Sequence, residues 1–153
     1  MRRLAAALTA CAIVQGSAAG AQAVRYSQQR NLFAVMDVPS TAVRSQPDTY
    51  VVKRGGAAVT ISLDASTPHY DERQVDCRGG KLGYKLDKPN LFAYSCTVGG
   101  EIVYAVTKYG RTYHVGASDA TEQIGYTIRY PASQRSYWDP VVKHMTHSLR
   151  FVH

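Results

Sequence analysis

The chain has 153 residues, with 18 lysines and arginines against 11 acids, five histidines and a net charge of +7. That length accommodates one domain and barely two, and no stretch after the N-terminal segment approaches the roughly 20 apolar residues that cross a bilayer as a helix. A large multidomain enzyme, a coiled coil and a polytopic membrane protein are thereby excluded.

The first residues have the order of an export signal. Met1-Arg2-Arg3 is a basic start, Leu4 to Val14 is apolar but for Thr9, and Ala21-Gln22-Ala23 has the form of a signal-peptidase site. The expectation is a signal peptide over residues 1–23, cleaved between Ala23 and Val24, followed by one α+β domain over residues 24–153. Removing that segment takes away Arg2, Arg3 and no acid, which leaves 130 residues and a net charge of +5. A rival reading rests on Leu8-Thr9-Ala10-Cys11, which resembles a lipobox and implies a lipoprotein anchored at Cys11. Against it, the apolar run Leu4 to Ala10 is at the short edge for an export signal, and Ala12 to Ala23 is left unexplained. Soluble export, to the periplasm or beyond, is the preferred localisation. Cys77 and Cys96 then form an even pair in an oxidising compartment and are expected to make one disulfide. It closes a loop of about 20 residues, worth roughly 3 kcal/mol by chain entropy. There is no C-x-x-C and no nearby Cys/His cluster to favour a redox or metal pair.

Strands come first and a helix last. Leu32 to Val38 is strand-like and stopped by Pro39. Ser40 to Asp48 is loop-like. Thr49 to Lys53 and Ala58 to Leu63 flank Arg54-Gly55-Gly56-Ala57, a hairpin signal, with Val59, Ile61 and Leu63 on one face. Asp64 to Cys77 reads equally as a structured loop or as a short helix capped by Thr67 with Pro68 at its first position. A meander follows: Lys81 to Leu86, a turn at Asp87 to Asn90, Leu91 to Val98, a Gly99-Gly100 turn, and Glu101 to Tyr109. In its central strand Phe92, Tyr94, Cys96 and Val98 share one face, taken as the core side, and Ala93, Ser95 and Thr97 the other. Gly110 turns the chain into a short strand, Thr112 to Val115, and Ala117 to Gln123 is polar connection. Ile124, Tyr126, Ile128 and Tyr130 alternate along another half-buried strand that ends at Pro131. From Ser133 the period is helical: Trp138, Val142, Met145 and Leu149 form one stripe. Because Pro140 lacks an amide donor, either the helix starts at Asp139 as its cap, or an earlier turn is kinked there. The expected fold is α+β: a mostly antiparallel sheet of about six or seven strands with a C-terminal helix packed on one face.

This order of parts resembles small exported bacterial proteins with a PsbP-like α+β sandwich. The resemblance is carried by Phe33-Ala-Val-Met-Asp-Val-Pro39, the Gly-rich hairpin Val51 to Val59, Tyr130-Pro131, and the helix Ser133-Gln-Arg-Ser-Tyr-Trp-Asp-Pro-Val-Val142 running to Ser148-Leu149-Arg150. Specific matching is confined to the C-terminal segment, and residues 64–80 depart from the pattern, where such folds often have a clearer helix. The resemblance implies a fold; most such proteins have no established activity, and no catalytic set carries over.

Few residues carry a chemical signal. His144 and His147 lie three apart on the helix and are weak metal candidates, since a site needs three or four ligands; their plainer role is as solvent-facing helix residues. His114 lies in a short strand between Tyr113 and Val115, and His69 and His153 have no arguable partner. No G-x-S-x-G and no phosphate loop is present. Two histidines acting as acid and base on a phosphodiester are conceivable chemistry for a basic secreted protein, but no spacing singles out a pair. All 11 tyrosines fall after residue 23, most in or beside strands, where an aromatic body packs and its polar tip stays wet. Tyr84, Lys85, Lys108, Tyr109, Arg111 and Tyr113 are close in the meander and form a candidate binding patch. The leading expectation is an exported, non-catalytic accessory or binding protein of the bacterial cell envelope. It needs no cofactor, and its partner is an envelope protein or anionic envelope component. No specific nucleic-acid binding is expected. The alternative is a small secreted hydrolase or metal-dependent enzyme using His114, His144 and His147.

Overall fold

The computed structural model describes residues 23–67 and 73–152; the expected leader, Cys11, the Pro68 helix start, His69 and His153 lie outside them. Among the described residues, ten strands form two antiparallel sheets, accompanied by one α-helix. The larger has seven strands in the order β3 (Val43–Gln46), β4 (Thr49–Arg54), β5 (Ala57–Ser66), β9 (Ser118–Pro131), β8 (Glu101–Val115), β7 (Leu91–Val98) and β6 (Lys81–Lys88). The smaller is β1 (Tyr26–Asn31), β2 (Ala34–Pro39) and β10 (Arg150–Phe151). The helix α1 (Arg135–Ser148) follows a short 3-10 turn at Ala132–Gln134.

The expected single sheet is thus the larger of two. The strand read at Leu32 to Val38 is instead the turn and second arm of a hairpin, since Leu32 takes a left-handed φ of +49° and reverses the chain. The preceding arm, Tyr26–Asn31, is polar and alternates weakly, so periodicity did not expose it. The edge strand Val43–Gln46 lies where a loop was expected, and all four of its residues are exposed. Gly110 does not turn the chain. It lies in a bulge between Tyr109 and Thr112 of one continuous strand, and a Cβ there would meet the Phe151 ring at 2.7 Å. Residues 118–123 pair with that strand's distal half, so the expected polar connection is the second arm of a long hairpin.

One face of the large sheet carries the core. Tyr50, Val52, Val59, Ile61, Leu63, Ala93, Ile102, Val106, Ile124, Tyr126 and Ile128 point to the side covered by α1 and by Ala34, Met36 and Val38 of β2. The helix takes the longer of the two expected forms, with Pro140 in its second turn. Its stripe of Trp138, Val142 and Met145, joined by Val141 and continued by Leu149, is buried as expected. The face chosen as core in β7 was the wrong one. Phe92 and Cys96 are buried, but on the opposite side of the sheet, where the 73–80 segment lies and Cys77 bonds Cys96 with Cα atoms 5.4 Å apart. Bulk misled there: the residues on the helix side at the middle of β7, Ala93 and Ser95, are small, between Leu91 and Thr97 on the same face.

Two measurements check this account. Trp138→Ala removes a side chain with no solvent exposure and lowers the unfolding free energy by about 3–5 kcal/mol in urea denaturation. Replacing Cys77 and Cys96 together by Ala lowers it by about 3 kcal/mol, and reducing agent then has no further effect.

Candidate ligand groove

A groove of about 600 Å³ runs between α1 and the part of the large sheet that the helix does not cover. Its floor is the helix-side face of β6, β7 and β8. Direct pairing puts Tyr84 opposite Ser95, Leu86 opposite Ala93, Ser95 opposite Tyr104, and Ala93 opposite Val106. Paired residues share a face, so these side chains line one surface. The bulge between Leu82 and Tyr84 makes this possible: Leu82 pairs with Cys96 on the far side, and Tyr84 falls on the groove side. Gly83, Ala93 and Ser95 keep the middle of the floor low, while Tyr84 and Tyr104 stack at 6.3 Å.

The helix supplies the wall. Arg135, Asp139, Lys143 and His147 recur every four residues and all line the groove, with Val142 and Thr146 beside them. At the N-terminal end Asp139 accepts from the Tyr130 hydroxyl at 2.9 Å and from Arg135 Nε at 2.9 Å. Tyr126 lies beneath the helix and donates to the Val142 carbonyl at 2.9 Å, with Thr146 Oγ1 2.7 Å away. At the C-terminal end Lys108 Nζ donates to the Leu149 carbonyl at 2.7 Å, placing a cation where the helix dipole is negative. His147 Nδ1 is 2.6 Å from the Lys143 carbonyl.

Burial sets the titration of these groups. It pushes the Tyr126 and Tyr130 hydroxyls well above the usual tyrosine range, and for Tyr130 the bond to Asp139 adds to the rise. Tyr104 is raised by burial and by the neighbouring Tyr84. Burial lowers Lys108. These hydroxyls keep their protons at neutral pH, and those of Tyr126 and Tyr130 donate to the Val142 carbonyl and to Asp139.

The expected patch does not hold together. Tyr84 and Lys108 line the groove, but Lys85 and Tyr109 point to the other side, because adjacent strand residues face opposite ways. There Lys85 Nζ lies 5.6 Å from the Phe92 ring and the Arg73 guanidinium 4.5 Å from that of Tyr109. Arg111 lies in the bulge and Tyr113 beyond it, where the Arg111 amide and the Tyr113 hydroxyl both donate to buried Glu122.

Nor do the three histidines meet. His114 pairs with Asp119 at 2.5 Å, 88% exposed on the distal hairpin. His144 stacks on Tyr26 at 3.7 Å with Nε2 3.1 Å from Asp37. Of the three, His147 alone lines the groove. Among the described residues no three His, Cys, Asp or Glu side chains gather as a metal-ligand group. Ala23 is exposed, whereas Val24 packs against the core and the Arg25 carbonyl accepts from the Ser40 amide. The groove residues missed from sequence are chiefly Tyr104, Asp139 and Lys143, and the two on α1 left a signal: the four-residue polar spacing along the helix, one step from the apolar stripe.

Tyr126 supplies a test. Its hydroxyl holds its proton more tightly in the folded than in the unfolded chain, so the stability it contributes is intact below about pH 10 and falls as pH rises beyond it. Wild type is expected to lose stability more steeply above about pH 10 than Tyr126→Phe, read by denaturant midpoints across pH. No protein-family model, no curated protein and no solved structure matches this chain.

Proposed function

We propose that the chain is an exported, non-catalytic binding module of the bacterial cell envelope, with a PsbP-like α+β sandwich as its scaffold and the α1 groove as its working surface. The observation that carries this is the groove itself. A cleft of about 600 Å³ is of the size that takes one small molecule, with aliphatic and aromatic side chains on its floor and polar groups on one wall. The polar groups at its ends, Asp139 and Lys108, are bonded to Tyr130, Arg135 and the Leu149 carbonyl. They hold the helix on the sheet and form no nucleophile–base pair.

Export is supported by the leader-like residues 1–23, by the Cys77–Cys96 bond, which suits an oxidising compartment, and by the packing of Val24 against the core. Among the described residues no helix is long and apolar enough to cross a membrane. The hydrolase alternative has no geometric support, because His114, His144 and His147 share no cleft.

The test is to express the whole chain in a bacterial host with two membranes, recover it from the periplasm and weigh it by native mass spectrometry. The expected mass begins at Val24, contains the disulfide and includes a non-covalent small molecule. That cargo is lost from Ser95→Phe, which fills the groove with a ring while keeping the melting temperature near that of wild type. A mass beginning at a lipidated Cys11, or retention in the cytosol, overturns the compartment. Wild type that is always empty, or a cargo unchanged in Ser95→Phe, overturns the groove as the working surface.

A further inference from the structure

Charge along the groove is uneven. Arg135, Lys143 and Lys108 line it against a single acid among the described residues, Asp139, and register puts Lys81 and Lys88 of edge strand β6 on the same face as Thr97 and Leu91. The one acid is engaged by Tyr130 and Arg135 at the N-terminal end of α1. Lys108 is held at the Leu149 carbonyl. Lys143, at mid-helix, makes no ion pair among the described residues, and His147 lies one turn further on. The unneutralised positive charge is therefore concentrated in the C-terminal half of the groove.

The floor has the complementary character. Leu86, Leu91, Ala93 and Ile102 of the sheet and Val142 of the helix give it an apolar run beside the Tyr84 and Tyr104 rings, and it is lowest along Gly83, Ala93 and Ser95. It follows α1 from Arg135 to His147, about 18 Å at the rise of an α-helix. An elongated apolar trough whose cation without an acid partner lies in its C-terminal half matches a flexible chain bearing one acid better than a compact ring system.

Building on the binding function proposed above, we infer that the groove takes a single-chain aliphatic carboxylate, its chain along the trough and its carboxylate at Lys143. The chain covers apolar surface that the helix leaves open, and the carboxylate supplies the counter-charge that Lys143 lacks. A neutral alkyl chain gains only the first of these, and a short acid only the second.

Isothermal titration calorimetry of the whole mature protein with octanoate, decanoate and dodecanoate, each below its micellar concentration, tests this. Binding is expected at one ligand per chain and to tighten roughly tenfold for each two methylenes added. Dodecanol binds at least tenfold more weakly than dodecanoate. Lys143→Ala, an exposed helix position where Ala is the best helix former, weakens dodecanoate about tenfold and leaves dodecanol unchanged. Equal affinity for dodecanoate and dodecanol, indifference to Lys143→Ala, or tight binding of dodecyl phosphate with none of dodecanoate each overturns the assignment. If no alkyl carboxylate binds but native mass spectrometry still finds a cargo that Ser95→Phe expels, the carboxylate falls and the binding module stands. If no cargo is found either, both fall.

Discussion

A seven-stranded sheet with one apolar face needs more cover than a single fourteen-residue helix supplies, and the rest of the structure follows from that shortfall. Strands spaced about 4.8 Å apart make such a sheet roughly 29 Å wide. A helix with its side chains covers about 10–12 Å, and three further strands cover about 10 Å. The chain uses both: α1 and the β1–β2–β10 sheet lie over β4, β5 and β9, and between them bury Trp138, Met36, Ile61 and Ile128. What is left uncovered falls at the exposed edge strand β3 and, on the opposite side, at β7 and β6. It is at β7 and β6 that the groove opens.

The helix is held at the boundary of the covered region by polar contacts along its length. Tyr130 and Tyr126 reach up from β9 to Asp139 and to the Val142 carbonyl, and Lys108 reaches from β8 to the Leu149 carbonyl. On its other flank His144 meets Tyr26 and Asp37, and Gln134 joins the Arg54 carbonyl to the Trp138 indole. Buried hydroxyls that lacked these acceptors would cost about 1–3 kcal/mol each, so the contacts fix where the helix lies as well as adding stability. Of the two tyrosines, Tyr130 also lines the groove, while Tyr126 lies buried beneath the helix. Packing and a binding surface are here two consequences of one set of contacts.

The far face of the sheet obeys a different logic. It is crossed by the Cys77–Cys96 bond and by Arg73, which bonds Asp87 and the Lys88 and Pro89 carbonyls and covers the Tyr109 ring. Phe92 and Cys96 are buried under this thin cover rather than in the main core. A covalent tie suits such a place, because a loop with few apolar contacts gains from a constraint on the unfolded chain. Fixing the polar loop on one side leaves β6 and β7 free on the other to serve as the floor of the groove.

Much of this was legible in the residues. The alternation of Val59, Ile61 and Leu63 and of Ile124 to Tyr130, the Gly-Gly turns at 55 and 99, the pairing of two cysteines and the stripe from Trp138 to Leu149 were enough for an α+β domain closed by a helix, since each is a local pattern with a local cause. Parity along each strand was equally local, and it separates Tyr84 from Lys85 and Lys108 from Tyr109 once it is applied to the patch. What parity lacks is a sign. Whether Phe92 or Ala93 faces the helix depends on which elements arrive on each side, and β2 and α1 come from residues 34–39 and 135–148, at opposite ends of the chain. The bulges at Gly83 and Gly110, the second sheet and the width left uncovered are likewise settled only when distant strands compete for the same face. Sequence alone therefore determined the kind of domain and its periodic faces; the tertiary structure alone decided which faces meet and where one is left open, because burial is a property of pairs of surfaces rather than of either one.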